Sequence, residues 1–255
     1  MTPYYSDASV TLYHGDCREI LPILPPGSVQ MMWTDPPYGV AYVGKTSDAL
    51  TIQGDDPRGL RALLGTSFRA ADPVLAAGSA IYVAGPPGPQ GLEFLSAMTR
   101  AGWRLRQMLV WVKDSPVLGH SDYHFRHEMI FYARKPGPGL WGRGGQGWYG
   151  GNARDSVFEV RRPTRATLHP TMKPLGLVAA CIRDACPPGG MVLDPFAGSG
   201  STLRAARDPG RRAVGIELDE RYCEATAHRL LASGPETEPG ALPRRRVPAR
   251  DRRPR

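Results

Sequence analysis

The chain of 255 residues lacks the features of several large protein classes. No apolar run approaches the roughly 18–20 residues that a membrane span needs, and charged residues interrupt the N-terminal segment, unlike in a signal peptide. The four cysteines form no CxxC pair, so neither a disulfide framework nor a zinc site is indicated. We therefore expect a reduced, cytoplasmic protein without a membrane partner.

Positive charge is in excess, with 32 Lys and Arg against 24 Asp and Glu and a net charge of +8. This balance suggests a polyanionic partner such as nucleic acid. Half of the excess lies in residues 233–255, where seven Arg face three acidic residues and few side chains are apolar. We predict a disordered basic Pro/Arg tail there, which is either a solvated chain end or a nucleic-acid-binding arm.

Short apolar runs bounded by Gly, Pro or Asp predict the strands of a sheet. Most of these runs are near-continuous, which is typical of strands covered on both faces. The predicted strands are Val10–Tyr13, Val29–Thr34, Ala80–Ala84, Met108–Val112, Met129–Ala133, Met191–Leu193 and Ala213–Ile216. Helical patterns occupy Asp56–Ala71, Gln90–Ala101, Leu175–Cys186, Thr202–Arg207 and Asp219–Leu231. This alternation predicts an α/β fold with a mostly parallel sheet flanked by helices.

Residues 136–168 break the alternation with a dense mixture of Gly, Trp and Arg. Only Val157–Val160 keeps a strand-like pattern within this region. We interpret it as an inserted loop region, because loops of this length inside a domain usually bind ligands or cover a site.

A glycine-rich turn, Asp-Pro-Phe-Ala-Gly-Ser-Gly-Ser-Thr at residues 194–202, follows one predicted strand directly. Gly198 and Gly200 permit a tight strand-to-helix turn and a close approach of a ligand to the backbone. Glu217 ends the next strand, where an acid commonly accepts hydrogen bonds from ribose hydroxyls. The pattern indicates a nucleoside-containing cofactor. The turn has no Gly-Lys-Ser/Thr ending, so it is not a triphosphate-binding loop.

A second motif, Asp-Pro-Pro-Tyr at residues 35–38, follows another predicted strand. Pro36 and Pro37 fix the backbone, so the Asp35 carboxylate, the Pro36 carbonyl and the Tyr38 ring can grip a planar group that carries an NH2. The exocyclic amine of adenine or cytosine is a poor nucleophile, because its lone pair is delocalised into the ring. Acceptors placed out of the ring plane would localise that lone pair, and the carboxylate would stabilise the charge that develops on nitrogen.

Together these motifs resemble those of the β group of DNA amino-methyltransferases, in which the catalytic motif precedes the cofactor motif. The resemblance extends from about Thr11 to Leu231, and it includes Leu-Tyr-His-Gly-Asp-Cys at residues 12–17 and His-Pro-Thr-Met-Lys-Pro at residues 169–174. It implies a Rossmann-like methyltransferase domain over residues 1–232, with S-adenosylmethionine as the cofactor and residues 136–168 as the target-recognition insert. Double-stranded DNA would be the partner, and the target base would be flipped out of the stack.

The resemblance also implies roles for individual residues. Lys173 would hold the methionine carboxylate of the cofactor, Asp194 its ammonium and Asp16 its adenine amine. The catalytic set is Asp35, Pro36, Pro37 and Tyr38. The cofactor-binding set is Asp16, His169, Thr171, Lys173, Pro174, Asp194, Phe196, Gly198, Gly200, Thr202 and Glu217. Within the insert, we predict that DNA contacts Arg143, Trp148 and Arg154. Insertion or stacking against nucleic acid is one interpretation of this segment, and packing within the loop is the other.

Asp at the first position of the catalytic motif favours N6 of adenine as the target, since cytosine-N4 enzymes more often carry Ser there. A cytosine-N4 enzyme, a methyltransferase acting on RNA or a protein amide, and a catalytically inactive DNA-binding relative are the alternatives. The insert is short for reading a whole site alone, so a homodimer or other loops are expected to contribute.

No metal site is predicted. Histidines 120, 124 and 127 lie near acidic residues, but their spacing matches no standard pair of metal ligands, so we expect loop or DNA-facing roles for them. A structural role is expected for Glu128.

Overall fold

The computed structural model describes residues 1–40, 55–117, 122–163 and 172–232. This part of the chain contains one nine-stranded sheet and six α-helices. The strands are β1 (Tyr5–Ser6), β2 (Val10–His14), β3 (Val29–Thr34), β4 (Leu75–Gly85), β5 (Arg104–Val112), β6 (His127–Arg134), β7 (Val157–Glu159), β8 (Met191–Asp194) and β9 (Arg212–Glu217). The helices are α1 (Cys17–Ile20), α2 (Leu60–Ala71), α3 (Gly91–Arg100), α4 (Leu175–Ala185), α5 (Ser201–Arg207) and α6 (Glu220–Leu231).

The sheet has the strand order β1-β2-β9-β8-β3-β4-β6-β5-β7. Neighbours from β2 to β4 run parallel, as does the β5–β7 pair, whereas β6 is antiparallel to both β4 and β5. The predicted mostly parallel α/β sheet is therefore confirmed. None of the helices in the ranges described above is long and apolar enough to span a membrane.

Both faces of the central strands are covered, which explains why their sequences are near-continuously apolar. The neighbouring residues Met32 and Trp33 of β3 belong to separate hydrophobic clusters on opposite faces of the sheet. Trp33 packs with side chains of α4 and α5 and stacks on Tyr82 at a ring separation of 5.7 Å. Met32 packs with Phe68 of α2 and Phe94 of α3.

The predicted elements exist, although β4 begins five residues before the predicted Ala80 and β5 begins four residues before the predicted Met108. Helix α2 begins at Leu60 rather than at Asp56, because residues 57–59 form a turn that ends in Gly59. Helix α6 begins after Asp219, whose carboxylate accepts a hydrogen bond from the N–H of Arg221 at 3.0 Å, as expected for an N-cap. Two short elements, β1 and α1, were not predicted, since two and four residues are too few to show a period.

The insert contributes an element of its own. Strand β7 joins the open edge of the sheet by pairing in parallel with residues 110–112 of β5. The predicted insert, residues 136–168, is described as far as residue 163, and the predicted tail, residues 233–255, lies outside the described residues.

Candidate active site

Acidic side chains at the ends of four neighbouring strands line one cavity of about 700 Å³. Asp16 follows β2, Asp35 follows β3, Asp194 ends β8 and Glu217 ends β9. Because these four strands are neighbours and run parallel, their carboxyl ends lie side by side at one edge of the sheet. The two motifs therefore open onto the same cavity.

The glycine-rich turn depends on residues without a side chain. Gly200 has a φ of +76°, a left-handed conformation that other residues rarely adopt. A Cβ on Gly200 would lie 2.5 Å from Cγ2 of Thr226 in α6, so even an alanine does not fit there without movement. The turn is thus packed against α6 at Gly200, whereas Gly198 lines the cavity.

Glu217 is held by the backbone on both of its oxygens. Its Oε2 accepts a hydrogen bond from the N–H of Gly198 at 2.7 Å, and its Oε1 accepts one from the N–H of Asp219 at 2.9 Å. Burial raises the pKa of this carboxyl, against the effect of these hydrogen bonds. Each oxygen keeps a lone pair, so the carboxylate can still accept from a ligand hydroxyl.

Asp194 connects the two motifs. Its Oδ1 accepts hydrogen bonds from the hydroxyl of Thr34 at 2.9 Å and from the N–H of Phe196 at 3.1 Å. Its side chain is nearly inaccessible, and burial raises its pKa to about 7, although Thr202, Phe196 and Thr34 donate to it. A buried carboxyl with this pKa favours a cation beside it, because a positive charge stabilises its ionised form.

The remaining cofactor candidates occupy different positions. Asp16 caps α1 by accepting from the N–H of Arg18 at 2.8 Å, and it also pairs with the Arg18 guanidinium, which holds its pKa below the usual range. Phe196 and Thr202 line the cavity, and Pro174 is the buried residue that precedes α4. His169 and Thr171 lie outside the described residues.

The Asp-Pro-Pro-Tyr motif lines the same cavity, and its two polar side chains contact each other. The Tyr38 hydroxyl lies 3.0 Å from Oδ1 of Asp35, and the Tyr38 ring makes an edge contact with Phe94. The Lys173 ammonium lies 2.5 Å from Oδ2 of Asp35 and 5.4 Å from the centre of the Tyr38 ring. Sequence analysis assigned Lys173 to the cofactor carboxylate, whereas here its charge is directed at Asp35.

Two further charged side chains complete this pocket. Glu128, in β6, has its Oε2 at 2.9 Å from the Tyr38 hydroxyl and at 3.1 Å from the Lys173 ammonium. The Lys113 ammonium, directly after β5, lies 2.6 Å from Oε1 of Glu128. All of these side chains are largely buried, with exposed fractions between 6% for Lys173 and 19% for Asp35.

Burial and pairing shift the pKa values of the Asp35 and Glu128 carboxyls in opposite directions. Burial raises the pKa of Asp35; Lys173 opposes this effect and the neighbouring Glu128 adds to it. Burial alone would also raise the pKa of Glu128, but Lys173 and Lys113 together lower it to about 2. Lys173 itself has a raised pKa, because Asp35 and Glu128 outweigh the effect of its burial.

Sequence reasoning missed Lys113 and gave Glu128 only a structural role. A signal for both exists, since each is a charged residue placed directly at the end of an apolar strand pattern. The antiparallel pairing of β5 with β6 brings the two ends together, with Trp111 opposite Glu128. Without knowledge of that pairing, the sequence does not connect them.

The predicted DNA-contacting residues of the insert lie away from the cavity. Trp148 lines a second cavity together with Gln30, which is near the amino end of β3, and therefore near the opposite edge of the sheet from Asp35. Arg154 pairs with Asp184 of α4 at 2.9 Å, and Arg143 donates to the backbone carbonyl of Asn152. The structure does not bring these three side chains to the candidate site, and their contact with DNA stays a prediction.

The end of the described insert returns to the cavity instead. Arg162 and Pro163 line it, after β7 has paired with β5. The Arg162 N–H donates to Oδ1 of Asp114 at 3.2 Å, which holds this segment beside another residue of the cavity wall. Among the described residues there is no cluster of three or more His, Cys, Asp or Glu side chains that could hold a metal ion, and His120 lies outside them.

Comparison with known proteins identifies the family of this chain. The N6/N4 methyltransferase family model, described as DNA methylase, matches residues 29–228. The type II methyltransferase M.XycI of Xanthomonas campestris pv. cyanopsidis is 30% identical in an alignment 271 positions long, which covers 86% of this chain and 87% of that protein.

Solved structures share the fold. TTHA0409 of Thermus thermophilus, assigned as a DNA modification methylase and complexed with S-adenosyl-L-methionine, aligns with a TM-score of 0.63 and 25% identity, over 86% of this chain and 91% of that one. The cytosine-N4-specific PvuII DNA methyltransferase aligns with a TM-score of 0.70 and 17% identity, over 92% and 90%. The family match includes both motifs and the strands that carry them. The chain therefore belongs to the DNA methylase family of N6/N4 methyltransferases.

Proposed function

We propose that the protein transfers the methyl group of S-adenosylmethionine to the exocyclic N6 of adenine in duplex DNA. The observation that favours adenine as the target is the Asp35 carboxylate at the first position of the motif. Cytosine-N4 enzymes of the family that the motifs resemble more often carry Ser at this position. Cytosine N4 is the second candidate, because the cytosine-N4-specific PvuII enzyme shares the fold.

The part of the cavity around the glycine-rich turn, which we call the cofactor half, fits this cofactor. Gly198 lines the cavity and presents only its backbone there, Glu217 can accept from ribose hydroxyls, and Asp194 favours a cationic group such as an amino-acid ammonium. When bound, S-adenosylmethionine supplies a methyl group on a positively charged sulfur. We place Lys173 in the group of side chains around Asp35, which we call the base pocket, rather than on the cofactor carboxylate. The reason is that Asp35 and Glu128 already balance its charge.

Asp35 has two tasks in the proposed reaction. Its carboxylate accepts an N–H of the adenine amine, which localises the nitrogen lone pair for attack on the methyl carbon as the sulfur–carbon bond breaks. The new carbon–nitrogen bond leaves a positive charge on nitrogen, and one proton then passes to Asp35. The raised pKa of Asp35 suits a group that must receive this proton.

The cysteines favour direct attack by the amine over a covalent intermediate. Cys17, Cys181, Cys186 and Cys223 are all buried, and burial raises the pKa of the Cys17 and Cys186 thiols to about 11. A thiolate nucleophile is therefore disfavoured at neutral pH.

The test is transfer of labelled methyl groups to unmethylated duplex DNA of mixed sequence, followed by digestion to nucleosides and mass spectrometry. We expect N6-methyladenine, and about a hundredfold less or lower still in the same reaction time with Asp35→Ala. N4-methylcytosine alone would establish the second candidate. Binding of S-adenosylmethionine with no modified base would identify a catalytically inactive relative.

A further inference from the structure

Five side chains form a continuous set of contacts through the base pocket, and three of them lie outside the Asp-Pro-Pro-Tyr motif. Their order is Lys113, Glu128, Lys173 with Tyr38, and Asp35. We call this set the charge chain. It spans four separate segments, which follow β5, belong to β6, precede α4 and follow β3. Such a set forms only when these four segments come together in the folded protein. Local structure within any one segment therefore does not account for it.

The charge chain is electrically balanced. Two ammonium groups and two carboxylates alternate along it, and each carboxylate oxygen has a partner within 3.1 Å. Buried charges are costly unless they are paired in this way, and removal of one member leaves its neighbour uncompensated. A mutation in Glu128 therefore acts on Asp35, although the carboxylate of Glu128 faces two lysines.

Tyr38 is shared between the two carboxylates. Its hydroxyl has one proton and lies 3.0 Å from Asp35 and 2.9 Å from Glu128, so it donates to one of them at a time. When the proton is directed at Glu128, Oδ1 of Asp35 is left for another donor. The amine of a flipped base is such a donor, and the pocket opens onto the cavity at this point.

We propose that Glu128 is a positioning residue, which holds the Tyr38 hydroxyl and the Lys173 ammonium beside Asp35. Lys113 contacts the other oxygen of Glu128 and partly offsets the negative charge that Glu128 presents to Asp35. The inference rests on the proposed transfer to an exocyclic amine at Asp35. Neither Lys113 nor Glu128 has to touch the base in order to act.

The ionisable groups that face Asp35 predict the direction in which the Asp35 pKa should move in each variant. They are Lys173 before α4, Glu128 in β6 with Lys113 behind it, Tyr38 on the same segment, and Asp194 at the end of β8. Glu128→Gln removes a negative charge, so Asp35 should stay ionised to lower pH. Lys113→Met removes a positive charge, so Asp35 should become protonated at higher pH.

The experiment measures the pH dependence of Asp35 in two ways. The first is the carboxyl carbon resonance of Asp35 in the free protein, which needs no substrate. The second is the single-turnover rate of methyl transfer as a function of pH. We expect the Asp35 pKa and the acid limb of the rate to move down by about one pH unit in Glu128→Gln and up by a smaller amount in Lys113→Met. Cofactor affinity should change less than about twofold in both variants, whereas the plateau rate should fall about tenfold in Glu128→Gln.

Asp184→Asn is the matched control. It also breaks a pair with a buried carboxylate, to Arg154, but on α4 away from the cavity, so it should lower thermal stability without moving either titration. If Glu128→Gln does not fold, Lys113→Met and Tyr38→Phe carry the test, and both should raise the Asp35 pKa.

Shifts of the same sign in Glu128→Gln and Lys113→Met, or no shift in either, would overturn the inference. If the Asp35 resonance moves as expected but neither adenine nor cytosine is methylated, the charge chain stands and the proposed function fails.

Discussion

The cofactor half of the cavity contains the glycine-rich turn and Glu217, and the base half contains Asp35 and the side chains around it. The two halves are built from different kinds of contact. In the cofactor half, Glu217 is held by the backbone of Gly198 and Asp219, which are 19 and 2 positions away. In the base half, Asp35 pairs with Lys173 over a separation of 138 positions, and the contact between Tyr38 and Glu128 spans 90. One half is a local motif, whereas the other exists only when distant strands come together.

Because their contacts differ in this way, the two halves should fail separately. A backbone turn is disrupted by shape, and a set of buried charges is disrupted by an unpaired member. The halves meet at the hydrogen bond between the Thr34 hydroxyl and Asp194. Variants on either side of this bond can therefore separate binding of the cofactor from the chemistry.

The largest effect is expected in the base half. Asp35→Ala should lower the single-turnover rate by about a hundredfold or more, because the carboxylate acts where charge develops on nitrogen. The cofactor affinity measured by calorimetry should stay within a few-fold of the wild-type value, since Asp35 is not in the cofactor half. Asp35→Asn keeps the shape and should fall between alanine and wild type. A near-normal rate in Asp35→Ala would move the active site away from this motif.

The reciprocal change is in the cofactor half. Gly200→Ala should weaken S-adenosylmethionine binding by about tenfold or more, since it adds both left-handed strain and a Cβ at 2.5 Å from Thr226. Gly210→Ala is the control, because Gly210 has a φ of +73° but no atom within 4 Å of the added Cβ. Equal loss of affinity in both variants would show that strain alone, and not the shape of the cofactor turn, is responsible.

A pH effect should distinguish the halves further. The free protein has an Asp194 pKa of about 7, raised by burial, and an ammonium bound beside it favours the ionised form. Affinity for the cofactor should therefore fall as pH decreases below about 7, by up to about tenfold per unit. Asp194→Asn should bind more weakly at a pH above this range and should lose the dependence. Calorimetry in buffers of different ionisation enthalpy would detect the proton released by the wild type on binding.

The smallest effects concern DNA binding. Arg162 lies at the cavity next to the base half, whereas Arg154 is paired with Asp184 at a distance from it. Arg162→Ala should weaken binding of duplex DNA several-fold and reduce the salt slope by about one, which is the loss of one phosphate contact. Arg154→Ala should have less effect. The opposite ranking would support the predicted role of Arg143, Trp148 and Arg154 in target recognition.

The glycine-rich turn and the acid beside it could be predicted from sequence because the information for them is local. Glycines at 198 and 200 follow an apolar strand, and Glu217 ends the next one, so the turn and its acid follow from strand periodicity and backbone sterics. The α/β class follows from the same alternation, and Asp219 marks the start of α6 correctly.

The base half could be predicted only in part. The Asp-Pro-Pro-Tyr motif locates Asp35, but Glu128 and Lys113 come from segments without any motif of their own. The resemblance assigns Lys173 to the cofactor carboxylate, whereas the structure pairs it with Asp35. The insert shows the same limit, since its Gly, Trp and Arg content does not reveal that Trp148 lies near the amino end of β3.

The amino-acid sequence alone determines the strands, the glycine turn and the acids at the strand ends, because these depend on residues that are near one another along the chain. Only the tertiary structure decides that Lys113, Glu128 and Lys173 surround Asp35. The antiparallel pairing of β6 with β4 and β5 brings Glu128 to the end of β3, and the start of α4 brings Lys173 there. The physical reason is that ionic partners in a buried site are chosen by proximity in space, which spacing along the chain does not encode.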